Sequence, residues 1–121
     1  MQQMYVLVVD DDEGIREIAV TALQDAGVDV VAVPDAERGL QVIRQRRPGL
    51  ILLDSTRAQM SDAEFVKACR DLLGPHCPVI LFSAWDQTEQ HAAAIGADGV
   101  LAKPFELAAF VEQIRGYLSQ P

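Results

Sequence analysis

The stretch YVLVVDDDE, residues 5–13, decides the fold: five consecutive apolar residues without polar alternation, followed at once by acids. An unbroken apolar run of strand length is the signature of a strand buried on both faces, as strands are in a parallel sheet. A second run, LILLDS over residues 50–55, ends the same way, at Asp54. In an open parallel sheet ligands lie outside the carboxyl ends of the strands. If the two runs are neighbouring strands, the acids of both clusters, Asp10, Asp11 and Asp12 after one and Asp54 after the other, therefore converge on one point. Their charges repel unless a cation neutralises them, and oxygen donors of this kind predict a hard divalent ion, Mg²⁺ first, with Mn²⁺ as its substitute.

Outward from these runs, five short apolar segments alternate with five helix-like ones, the pattern of a parallel sheet covered on both faces. The strands are predicted at Tyr5–Val9, Val28–Val33, Leu50–Leu53, Val79–Phe82 and Gly99–Leu101. Ile15, Ile18, Ala19, Ala22, Leu23 and Ala26 recur at three- and four-residue steps, which predicts one face of a first helix that Gly27 stops. Leu107, Phe110, Val111, Ile114 and Leu118 form the apolar stripe of a last helix, expected to lie on the sheet. Ser61 with Glu64, and Asp86 with Glu89, match or approximate a capping box, and Asp35 after Pro34 suits an N-cap. The segment HAAAIGA, residues 91–97, reads as a short packed helix.

A chain of 121 residues is the size of one domain with a real core, and 50% hydrophobic with 23% charged residues is ordinary globular composition. One domain over 1–121 is expected, structured over about 4–119, with Ser119-Gln120-Pro121 as a trailing end or the start of a linker. The formal net charge of −8 argues against direct binding of nucleic acid or anionic membrane and favours protein partners. No apolar run approaches the roughly 20 residues that span a bilayer. The opening MQQMYVLVVDDD lacks the basic segment and cleavage site of a secretory signal, so a cytoplasmic location is the expectation. Cys69 and Cys77, without a CxxC spacing or clustered His, read as buried small hydrophobes.

Every predicted strand but the second ends in a chemically useful group. Asp10 and Asp11 follow the first, Asp54 the third, Ser83 the fourth and Lys103 the fifth. Together they comprise a metal-binding acid pair, a candidate nucleophile, a hydroxyl donor and a cation able to meet phosphate oxygens. That inventory suits phosphoryl transfer to a carboxylate.

In this order and spacing, VLVVDDDEGIR, LILLD, LFSA and LAKPF resemble the receiver domain of bacterial response regulators, over nearly the whole chain. The resemblance implies a flavodoxin-like (βα)5 fold, an α/β architecture whose doubly wound parallel five-stranded sheet has the order 2-1-3-4-5, with its site at the switch between the first and third strands. It implies that Asp54 is the phosphoacceptor and that Mg²⁺ is held by Asp10, Asp11, Asp54 and the backbone carbonyl of Thr56. Ser83 and Lys103 would meet the phosphoryl oxygens, with Pro104 following through a cis bond. A histidine kinase or phosphotransfer protein would donate the phosphoryl group, and contacts with a downstream protein target, or a second copy of the chain, would switch in response. On this reading the domain assists its own phosphorylation and dephosphorylation but is a signalling switch, not a turnover enzyme.

The chain departs from the family in places. Ala58 stands where proline is usual, four residues past the acceptor, and Ser61 and Asp62 replace a frequent Asp-Gly. Val100 occupies the position where many receivers carry a Tyr or Phe that swings inward, so the output change is expected in the loop between Ser83 and the fourth helix. Trp85, two residues past Ser83, either shields the acyl phosphate from water or anchors a partner.

Plainer readings stand beside these. Asp12 suits a cap of the first helix better than a metal site. Arg57 reads as a solvent charge, and His76 and His91, with no partner at catalytic or ligand spacing in the sequence, as surface residues. Two rival functions remain at this point. A haloacid-dehalogenase-like phosphatase would use Asp10 as nucleophile and Asp12 as acid/base, but it leaves Asp54 idle and lacks paired acids after Lys103. A degenerate receiver would bind Mg²⁺ and protein partners without being phosphorylated.

Overall fold

The computed structural model describes residues 4–54, 61–83, 88–102 and 106–118. The elements run β1 (Tyr5–Val9), α1 (Glu13–Asp25), β2 (Asp29–Val33), α2 (Ala36–Gln45), β3 (Leu50–Asp54), α3 (Asp62–Leu73), a 3-10 turn at Gly74–His76, β4 (Val79–Ser83), α4 (Thr88–Ile95), β5 (Gly99–Ala102) and α5 (Leu107–Leu118). All strand pairs are parallel and the order is β2-β1-β3-β4-β5. This is the doubly wound, flavodoxin-like sheet that the resemblance implies.

Alternate residues of each strand serve opposite faces. Tyr5, Leu7, Val9, Ile51, Leu53, Val79 and Leu81 are buried with residues of α2, α3 and α4. Val6, Val8, Leu50, Leu52, Ile80 and Phe82 are buried with residues of α1 and α5. Both sets are almost free of solvent contact, which explains why β1 and β3 read as continuous apolar runs.

Boundaries differ from the predicted ones by single residues, for identifiable reasons. Pairing of Asp54 with Phe82 and of Ser83 with Ala102 carries β3, β4 and β5 one residue past their apolar runs. The strand β2 starts one residue late because the N–H of Val28 donates to Leu23 O at 2.8 Å, closing α1 instead of joining the ladder. Gly27, at φ 81°, makes the left-handed turn that lets the chain leave α1.

The helical stripes are narrower than predicted. Ala19 and Leu23 carry α1 onto the sheet while Ile18 is exposed, and Phe110 and Ile114 carry α5 while Leu107, the first residue of that helix, is exposed. The predicted caps at Asp35 and Ser61 form, accepting from the N–H of Arg38 (2.8 Å) and Glu64 (3.1 Å). Asp86, the other predicted cap, lies outside the described residues. Cys69 and Cys77 are buried as expected, and burial pushes their thiols up to about 12 and about 11.

Candidate functional site

The register of the two central strands builds the site. Val9 pairs with Leu53, so Asp10 and Asp54 are the next residues along adjacent strands. Asp10 continues the ladder on its other side, its N–H donating to Val33 O at 3.1 Å. Its side chain is buried, and its Oδ1 accepts from the N–H of Asp12 at 2.9 Å, which fixes the carboxylate at the turn into α1. Arg16, one turn into that helix, donates from Nη1 to the Asp10 carbonyl at 2.8 Å. The peptide that carries the acid pair is thus tied from both sides.

One carboxylate oxygen from each of Asp10, Asp11 and Asp54 lies within 4.8 Å of the others. The three differ in exposure: Asp10 is buried, Asp54 half-buried and Asp11 exposed, so the cluster opens to solvent on one side. The ligand oxygens of an octahedral Mg²⁺ lie roughly 3–4 Å apart, and a cluster spread over at most 4.8 Å is close to that spacing. The donor set, all anionic oxygen, also suits that ion and no soft metal.

Asp12 stands apart from this group. Its Oδ1 accepts from the N–H of Ile15 at 3.1 Å and caps α1, as the plainer reading of the sequence holds. Asp12→Ala is therefore expected to cost about 1 kcal/mol of stability, read by urea unfolding, while leaving Mg²⁺ affinity unchanged. A large loss of Mg²⁺ affinity would instead make Asp12 a ligand.

Ser83 ends β4 at the same edge, one residue beyond the Asp54–Phe82 pair, and is itself paired with Ala102. Thr56, Arg57, Ala58, Trp85, Lys103 and Pro104 lie outside the described residues. His91 has a side chain 43% exposed, in keeping with a surface residue, and it meets a partner distant in sequence. Its Nε2 lies 2.9 Å from Asp62 Oδ2, across the contact between α4 and α3. The two residues are far apart in sequence, and only the packing of the helices on one face of the sheet brings them together.

A doubly wound parallel sheet with carboxylates gathered at the switch between its first and third strands defines the class: an acid-centred, flavodoxin-like α/β domain. A sequence profile of the response regulator receiver domain matches residues 6–115, and the chain belongs to that family. Among relatives, the transcriptional regulatory protein CseB of Streptomyces avermitilis is 35% identical over 119 residues, covering 97% of this chain and 50% of that protein. The KDP operon transcriptional regulatory protein KdpE of Escherichia coli is 34% identical over 112 residues, covering 91% and 49%. The chain thus spans about half the length of these curated relatives. The chemotaxis response regulator CheY4 of Vibrio cholerae superposes with a TM-score of 0.84 at 29% identity, covering 96% of this chain and 99% of that one. A putative response regulator from Chloroflexus aurantiacus superposes with a TM-score of 0.86 at 26% identity, covering 98% and 100%. The phosphatase alternative falls with this membership: Asp54, idle in that reading, sits inside the acidic cluster, and Asp12 caps a helix.

Proposed function

We propose that this chain is a single receiver domain over residues 1–121 that accepts a phosphoryl group on Asp54 in an Mg²⁺-dependent reaction, from a histidine kinase or a phosphotransfer protein in the cytoplasm. The observation that carries the reading is the convergence of Asp10, Asp11 and Asp54 at the switch point of a receiver fold. Asp10, Asp11, Asp54 and the backbone carbonyl of Thr56 would hold Mg²⁺, or Mn²⁺ in its place. The bound ion would supply positive charge against the carboxylates and the incoming phosphoryl oxygens.

The chain's own residues do the rest. Asp10, held by the Asp12 N–H, keeps its carboxylate pointed at the cluster. A carboxylate oxygen of Asp54 attacks phosphorus in line, the new O–P bond forming as the N–P bond of phosphohistidine breaks. The electron pair of the broken bond stays with the imidazole, which takes up a proton. The Ser83 hydroxyl and the Lys103 ammonium would meet the phosphoryl oxygens, and water later cleaves the acyl phosphate at the same place. The domain thereby assists its own modification without turning over a substrate, and contacts with a downstream protein change in response. No helix among the described residues is long and apolar enough to cross a membrane.

Acetyl phosphate tests this without a partner protein. One phosphoryl group per chain is expected with Mg²⁺ present and none after chelation. Mg²⁺ binding with no uptake would establish the degenerate, unphosphorylated receiver instead.

A further inference from the structure

On α3, residues four apart meet α4 and the turn that follows it. At the end remote from the site, Arg70 Nη2 donates to Gly96 O at 3.0 Å and lies 2.9 Å from Asp98 Oδ2, which also accepts from the N–H of Val79 at 2.8 Å. In the middle, Val66 is buried in one cluster with Ala92 and Ile95. At the end nearer the site, Asp62 Oδ2 meets His91 Nε2 at 2.9 Å. The Asp62 side chain is only 9% exposed and that of His91 43%. A carboxylate so nearly buried is costly unless donors meet it, so this contact is a built feature of the seam and not an incidental surface pair.

Its position matters. Asp62 is the first residue of α3, reached directly from Asp54 through the connecting segment. His91 is the fourth residue of α4, the helix that follows Ser83. The bond therefore joins the two helices that follow the candidate phosphoacceptor and the candidate hydroxyl donor. The receiver pattern often places glycine at position 62, which has no side chain to cross the seam, so the bond is a property of this chain's own sequence.

We propose that Asp62 and His91 are positioning residues for phosphoryl uptake: their bond holds α3 and α4, the helices that follow Asp54 and Ser83 in the chain, at a fixed spacing. The proposal rests on the phosphoryl-transfer reading above. Both residues act through the helices and not on the reacting group.

The test compares the full chain with His91→Ala and His91→Gln, reading the initial rate of Mg²⁺-dependent uptake from acetyl phosphate and amide hydrogen exchange in the first turns of α3 and α4. His91→Ala is expected to slow uptake on the order of tenfold, the scale of a modest misplacement of reacting groups. It should also speed exchange at the Phe65 amide, across the seam, and lower the urea midpoint, because the nearly buried Asp62 carboxylate loses a donor. Glutamine, whose side-chain N–H can still reach the Asp62 carboxylate, should restore both readouts. Unchanged uptake and exchange in His91→Ala would overturn the proposal, as would a lost rate that glutamine does not restore. A wild-type chain that takes up no phosphoryl group would overturn the phosphoryl-transfer reading instead. Exchange at Phe65 would then decide the clamp alone: faster in alanine and restored in glutamine upholds it as a helix-spacing device, unchanged refutes it.

Discussion

Asp54→Asn is expected to abolish phosphoryl uptake while leaving the fold intact. An amide oxygen carries no negative charge and is a poor nucleophile, and removal of a nucleophile that acts as one unit with its neighbours costs more than about three orders of magnitude in rate. Stability should hold or rise. Asp54 is half-buried with an oxygen within 4.8 Å of the carboxylates of Asp10 and Asp11, and the substitution removes one of three like charges. Labelled acetyl phosphate reads the first effect and urea unfolding the second. Persisting uptake in the variant would move the acceptor elsewhere in the chain.

Phe65→Ala is expected to cost about 3–5 kcal/mol, the range for deleting a fully buried aromatic side chain. The ring is wholly inaccessible and belongs to the cluster that joins the sheet to α2 and α3. It also packs close to Gly39 of α2. A Cβ placed on Gly39 would lie 3.5 Å from the Phe65 ring and 3.3 Å from Val9 Cγ2, so little material is available to refill the void. Against the 5–15 kcal/mol by which domains of this kind are stable, the loss would move the urea midpoint far down. A cost under about 1 kcal/mol would mean that this face of the sheet is not packed as described.

Much of this architecture is legible in the sequence because parallel strands are buried on both faces. That burial removes the polar alternation that otherwise makes a short apolar run ambiguous, so β1 and β3 declare themselves. The acids at their ends are legible for the same reason: a charge directly after such a run marks the carboxyl end of its strand, where Asp10 and Asp54 are found. Local capping chemistry is equally readable, since Asp12, Asp35 and Ser61 bond residues three positions away. Contacts set by helix rotation are not. Periodicity placed Ile18 and Leu107 on buried stripes, but the crossing of α1 and α5 over the sheet decides which edge of a stripe is covered, and it leaves both exposed. The Asp62–His91 pair is hidden for a related reason, being made by two helices that are neighbours only because β3 and β4 are.

The most direct test of the account is the identity of the phosphorylated residue. After incubation with acetyl phosphate and Mg²⁺, borohydride reduction converts an acyl-phosphorylated aspartate to homoserine, and peptide mass spectrometry locates it. The account predicts conversion at Asp54, dependent on the divalent ion. Conversion at Asp10, or none in a chain shown to bind Mg²⁺, would contradict it.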